Sequence, residues 1–184
     1  MKNFTQIPAG KNIPDDIYGI IEIPAYSSPV KYELHKSYFM LYVDRFIPTT
    51  MFYPCNYGFI NKTLSLDGDP LDILIPTPYP IQPKSIIRCN PIGLLNMEDE
   101  SGEDQKIIAV PHKKITQEYI NIHDIDQLSI LLKKQIIHFF KNYKKLEKNK
   151  TVIIKGWKNA KEAKLEIKNS IDRYKKKNKF QKNY

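Results

Sequence analysis

The stretch 67-DGDPLDIL-74 sets three aspartates, Asp67, Asp69 and Asp72, within six residues and runs straight into an apolar segment. Gly68 permits a tight turn and Pro70 stiffens it. At about 5 Å and an effective dielectric near 20, each pair of carboxylates repels by roughly 3 kcal/mol. Such a cluster needs a cation, side chains splayed into water, or a protonated acid. An isolated DGD is an ordinary acidic turn, but Asp72 opens a strand and does not sit free in solvent. The stretch therefore reads as a charged turn at the end of a β-strand.

Working outward, the first 110 residues hold further short β-rich segments: 17-IYGIIEI-23, 30-VKYELHK-36, 39-FMLYVDRF-46, 57-YGFINK-62, 71-LDILI-75, 86-IIRCNPIGLLNM-97 and 106-KIIAV-110. Most are bounded by Pro, Gly, Asn or Asp, and several alternate apolar with polar residues. Closely spaced strands without intervening helices predict a barrel or sandwich. The four prolines of 76-PTPYPIQP-83 exclude a central strand and predict a stiff surface loop. Later, 127-QLSILLKKQIIHFFKNY-143 carries apolar residues at 3–4 spacing, predicting a helix capped by Asp126. A short strand at 151-TVIIKGW-157 precedes a second helix, opened by a capping box of Asn159 and Glu162. The expectation is mainly β with α: a closed β-barrel with two helices packed outside.

The 184 residues suffice for one core, and no repeat or linker divides the chain. A single domain over 1–175 with a basic C-terminal tail over 176–184 is expected, the helix fraying into that tail. No apolar run approaches the ~20 residues needed to span a bilayer, and the N-terminus lacks a signal-peptide core. A cytoplasmic protein with no membrane partner is expected. Cys55 and Cys89 form no zinc motif and read as reduced packing residues. The net charge of +9 is bipolar: residues 1–110 carry 9 basic and 13 acidic side chains, residues 111–184 carry 20 and 7. Of the basic residues 26 are Lys and 3 are Arg, a poor match to arginine-based nucleic-acid readers. An acidic body also repels a polyanion, so no nucleic-acid partner is expected, and an OB-type nucleic-acid module is the disfavoured non-enzyme alternative.

A second acidic stretch, 98-EDESGEDQK-106, holds Asp99, Glu100 and Asp104 and ends on Lys106. Neither stretch fits an EF-hand: from Asp67, positions 6 and 12 fall on Asp72 and Pro78, and from Asp99, position 6 falls on Asp104. Two acidic turns at strand ends can converge on one mouth, and all-oxygen carboxylate sites select Mg²⁺, Mn²⁺ or Ca²⁺. Lys31, Arg45, Lys106, Lys144, Tyr53, Tyr57 and Tyr143 supply cations and phenols, while Glu22 and Glu33 lie on candidate strands. Each is unremarkable alone. Together with metal-bound carboxylates they would hold a highly charged phosphate ester or anhydride. A metal-dependent hydrolase of nucleotides is the enzyme alternative, but no residues for a base pocket stand out.

DGDPLDI (67–73), IPAGKNIPDDIY, IEIPA, KYE (31–33), VDRF (43–46), MFYPCNYGFIN (51–61), PTPYPIQP, GEDQKIIAVP and HFFKNYKKLE together resemble the family I soluble inorganic pyrophosphatases in their short bacterial form, continuously from about residue 7 to 172. The resemblance implies a five-stranded OB-like barrel with flanking helices and Mg²⁺-dependent hydrolysis of pyrophosphate to two phosphates, with Mn²⁺ a possible substitute. Carried over by matched position, Asp67, Asp72, Asp99 and Asp104 resemble metal ligands, and Asp69 the acceptor of a proton from the nucleophilic water. Lys31, Arg45, Tyr57, Lys106, Tyr143 and Lys144 resemble the phosphate-binding set. Glu22 and Glu100 resemble outer-sphere acids, with Glu33 and Tyr53 in support. The resemblance also implies a homohexamer, for which the helix face bearing Ile137 and His138 is a candidate contact. Asn142 departs from the histidine often found there in hexameric relatives.

Overall fold

A computed structural model describes residues 6–35 and 37–181, with the side chains of residues 180 and 181 excluded. It contains nine strands and two α-helices among those residues: β1 (Gly10–Asn12), β2 (Asp16–Ile23), β3 (Val30–His35), β4 (Met40–Phe46), β5 (Asn56–Ile60), β6 (Asp72–Ile75), β7 (Ile86–Asp99), β8 (Gly102–Pro111), α1 (Ile130–Asn142), β9 (Val152–Asn159) and α2 (Ala160–Gln181). One sheet runs β1-β2-β5-β6-β8-β7-β9, and β2 also pairs with β7. The strands β2, β5, β6, β8 and β7 thus return on themselves as a ring of five. All its pairings are antiparallel except β6 with β8. Strands β3 and β4 form a separate hairpin.

Period-two alternation divides the ring's side chains between two apolar clusters. In β8, Ile107 and Ala109 join one cluster while Ile108 and Val110 join the other; in β6, Ile73 and Ile75 oppose Leu74 in the same way. Both faces of these strands are covered, which explains their unbroken apolar runs. Helix α1 turns Ile136, Phe139, Phe140 and Tyr143 onto the first cluster, and α2 turns Ala163, Ile167 and Ile171 onto the second. Both cysteines are buried free thiols, and burial pushes the Cys55 thiol up to about 12. Gly58 shows how closely the ring closes: a Cβ there would lie 1.8 Å from the carbonyl oxygen of Ile20 on β2.

Several boundaries differ from the sequence reading. Helix α1 begins at Ile130 behind Ser129, whose side chain accepts from the Leu132 N–H. Asp126, expected as the cap, lies in a 3₁₀ turn over Ile125–Gln127. The sequence reading of separate strands over 86–97 and 106–110 gives way to one long hairpin of β7 and β8 whose pairing reaches Asp99↔Gly102. Strand β1 carries no alternation long enough to be seen and was not expected. The capping box forms as expected, Asn159 Oδ1 accepting from the Glu162 N–H at 3.0 Å and Glu162 Oε2 from the Asn159 N–H at 3.2 Å. Helix α2 continues through Gln181, past residue 176 where a tail was expected to start; residues 182–184 lie outside the described residues. Among the described residues no helix is long and apolar enough to cross a membrane.

Candidate active site

The two acidic turns are built by the same local device. Asp67 Oδ1 accepts from the Asp69 N–H at 3.0 Å, and Asp99 Oδ1 accepts from the Ser101 N–H at 2.8 Å. Each aspartate closes a turn on its own backbone. Gly68 takes φ +97°, the left-handed side that glycine tolerates best, and a Cβ there would touch nothing within 4 Å. Parallel pairing then sets Asp72 opposite Lys106. Strand alternation puts Asp104 and Lys106 on one face of β8, toward α1.

These side chains meet in a cavity of about 540 Å³. The turns contribute Asp67, Asp69, Asp99 and Glu100, and the ring contributes Glu22, Tyr57, Asp72, Asp104 and Lys106. The β3–β4 hairpin contributes Lys31, Glu33 and Arg45; the loop before β5 contributes Tyr53, and the C-terminus of α1 contributes Tyr143 and Lys144. Every candidate site residue read from the sequence therefore lines the same cavity.

Its electrostatics are tightly balanced. Lys106 is 4% exposed. Its ammonium bonds Asp104 at 2.6 Å and also bonds Asp72, which accepts from the Tyr57 hydroxyl at 2.6 Å. Burial opposes the charge on Lys106, but the Asp72 and Asp104 carboxylates overcome it and hold the ammonium well above lysine's usual range. Burial pushes Asp72 up, and Lys106 and Tyr57 offset that only in part. Burial also raises Asp67, and it pushes Glu22 up to about 8, although Glu22 accepts from the Leu34 N–H at 2.7 Å. Lys144 bonds Asp99 at 2.7 Å and reaches Glu100 at 3.4 Å. Burial would raise Glu100, yet the ammoniums of Lys150 and Lys144 hold it at about 2.

Four residues that the sequence reading passed over bond to this wall, and two of them, Tyr42 and Lys150, line the cavity themselves. Lys150 lines the cavity and pairs with Glu100. Asp44 accepts from Arg45 Nε at 2.7 Å and lies 3.3 Å from Lys31 Nζ. Glu147 lies 3.3 Å from Arg45, and the Tyr42 hydroxyl donates to Glu33. The cross-strand register Glu33↔Tyr42 is the signal that could have found Tyr42, once a hairpin over 30–46 is assumed.

Among the described residues no three His, Cys, Asp or Glu side chains draw together into a ready-made cation cage. Lys106 and Lys144 instead stand between the carboxylates. The donor set still fits a hard divalent ion: it is all oxygen, drawn from several acids on one cavity, and burial raises the affinity of Asp67, Asp72 and Glu22 for positive charge. Carboxylates interleaved with Lys and Arg donors define a class, a hydrolase that takes a small phosphate anhydride between fixed charges.

A family model described as inorganic pyrophosphatase matches residues 19–175. An inorganic pyrophosphatase of Buchnera aphidicola (subsp. Schizaphis graminum) is 65% identical over 174 residues, covering 95% of this chain and 97% of its own. That of Escherichia coli K12 is 60% identical over 171 residues, covering 93% and 97%. Among solved structures, an inorganic pyrophosphatase from Coxiella burnetii superposes with a TM-score of 0.88 at 50% identity, covering 91% of this chain and 99% of its own. The enzyme from Thermus thermophilus gives 0.88 at 40% identity, covering 94% and 99%. The chain belongs to the inorganic pyrophosphatase family.

Proposed function

We propose that this cavity hydrolyses inorganic pyrophosphate to two orthophosphates with Mg²⁺ as the metal, on a ring that is an OB-like barrel. The observation that carries the reading is the convergence of both acidic turns and four cations, Lys31, Arg45, Lys106 and Lys144, on one cavity. Asp67, Asp72, Asp99 and Asp104 are the residues that would hold the ions, with Glu22 and Glu100 acting on them from outside. Bound Mg²⁺ lowers the pKa of water and neutralises phosphate oxygens; Mn²⁺ can substitute.

The chain's own groups supply the rest. Asp69 stands in the exposed turn beside Asp67 and takes the proton from the attacking water. Lys31, Arg45, Lys106 and Lys144 hold the two phosphoryl groups, their N–H donors shared between carboxylate and phosphate oxygens. The Tyr57 and Tyr143 phenols, both raised by burial, stay protonated and donate without adding negative charge. Tyr53 packs on Tyr57, ring centroids 5.0 Å apart, and fixes its plane. Pyrophosphate carries its charge close together, so binding it requires cations and metal ligands at equally short spacing.

Phosphate release from pyrophosphate, measured with and without Mg²⁺ and with fluoride as inhibitor, tests this. Hydrolysis of ATP or p-nitrophenyl phosphate at a rate equal to that of pyrophosphate would overturn the substrate. We further propose a homohexamer in the cytoplasm, with the α1 face at His138 as one contact. Light scattering with and without Mg²⁺ tests the assembly.

A further inference from the structure

We propose that Tyr42, at the rim of the cavity, is a positioning residue: its hydroxyl fixes Glu33, and Glu33 in turn sets where the Lys31 ammonium meets phosphate. The inference rests on Lys31 being a phosphate-binding residue. The observation behind it is a continuous chain of polar contacts along one wall. The Tyr42 hydroxyl donates to Glu33 Oε2, and Glu33 Oε1 accepts from Lys31 Nζ at 2.6 Å. Lys31 lies 3.3 Å from Asp44, Asp44 accepts from Arg45 Nε at 2.7 Å, and Arg45 lies 3.3 Å from Glu147. The two cations of the hairpin, Lys31 and Arg45, thereby alternate with three carboxylates.

Asp44, in the middle of the chain, lies between both cations, whereas Glu33 at the hairpin end meets Lys31 through Oε1 alone. There Glu33 would present one oxygen to solvent, and Tyr42 closes that end. Side-chain alternation on paired strands puts it there, since Glu33 and Tyr42 are direct cross-strand partners. Tyr42 is half-exposed at the rim, its ring edge-on to His35 with centroids 6.3 Å apart, and its hydroxyl reaches past that contact to Glu33. The hydrogen bond to Glu33 raises the phenol to about 12, keeping it a donor over the whole working range. With Oε2 occupied, Glu33 is held in one rotamer and Lys31 is held with it. Without the hydroxyl, Glu33 can turn toward solvent and Lys31 loses its fixed position, at the cost of phosphate affinity.

The test is Tyr42→Phe in the full-length chain, alone and combined with Glu33→Ala. Wild-type hydrolysis of Mg-pyrophosphate is measured first; its absence would remove the underlying function and leave Tyr42 without a reaction to position. Given that activity, Tyr42→Phe is expected to raise KM and the inhibition constant of inorganic phosphate by about fivefold, the scale of one partly exposed hydrogen bond to a charged group. The turnover number should change less than KM, and the melting temperature should not change. In the Glu33→Ala background the same substitution should do nothing further, because Tyr42 acts only through Glu33. Unchanged KM and phosphate inhibition in Tyr42→Phe would overturn the proposal. So would an equal loss in both backgrounds.

Discussion

The ammonium of Lys106 lies 2.6 Å from the carboxylate of Asp104 while also bonding Asp72, so one buried cation ties the strand behind the first acidic turn to the strand behind the second. Removing it leaves two carboxylates facing each other in a desolvated wall. Lys106→Met should therefore destabilise the metal-free protein by about 3 kcal/mol, the cost of breaking a buried charge cluster. Mg²⁺ should recover part of that loss. Thermal unfolding with and without Mg²⁺ checks both statements, and pyrophosphatase activity should fall by at least ~100-fold.

Asp69 separates chemistry from folding. Its backbone makes the turn's bonds, donating to Asp67 and accepting from the Ser65 N–H at 2.7 Å. Asp69→Asn leaves those bonds intact. The turnover number should drop by roughly 10²–10⁴-fold, as for loss of a general base, with an unchanged melting temperature. Near-normal turnover would refute Asp69 as the proton acceptor.

Two carboxylates make opposite contributions to stability as pH changes. Asp16 is held below its ordinary range by hydrogen bonds from Arg88, so its contribution is present above the unfolded pKa and lost as pH falls through the lower folded value. Asp16→Asn should flatten the acid limb below about pH 4. Glu22 is raised from 4.5 to about 8 by burial, so the native state binds more protons in that window and stability declines as pH rises across it. Glu22→Gln should remove that decline in the metal-free protein. Urea unfolding at stepped pH reads both.

Two glycines should fail in different ways. At Gly68 an alanine Cβ meets nothing, so only the positive φ is penalised; a cost of about 1 kcal/mol is expected, with a larger proportional loss of activity as the Asp67–Asp69 turn reshapes. At Gly58 the same substitution drives a Cβ into the Ile20 carbonyl, and Gly58→Ala should yield little folded protein. Circular dichroism and activity on both variants distinguish the two mechanisms.

Chelation should abolish activity and leave the fold standing. The two apolar clusters contain none of the candidate metal ligands. After EDTA treatment the far-ultraviolet circular dichroism should be unchanged, and added Mg²⁺ should restore phosphate release.

The strands and helices were legible because their causes lie within a few residues of chain. The short apolar runs in 71-LDILI-75 and 106-KIIAV-110, the turn chemistry of Asp67 and Gly68, and the reciprocal box of Asn159 with Glu162 all act locally. The start of α1 was misplaced for an equally local reason: Asp126 and Ser129 can both cap, and a 3₁₀ turn claims the first. The acidic turns were visible as candidates for metal ligands, and the family resemblance implied the roles proposed for them. The residues missed, Tyr42, Asp44, Glu147 and Lys150, are ordinary polar residues whose importance comes only from their partners.

The amino-acid order by itself determined the two acidic turns, the apolar strands that hold them and the helices that cover those strands, since each follows from side-chain period and turn chemistry. Tertiary structure decided that β2 returns to pair with β7, that Asp72 and Asp104 share Lys106, and that Tyr42, Glu33 and Lys31 form one chain. The β2–β7 pairing and the Asp72–Lys106 bond join residues far apart in sequence, while the β3–β4 register brings Tyr42 to Glu33. Charge and hydrogen bonding act over a few ångströms of space, a distance that the closed ring and the β3–β4 hairpin create.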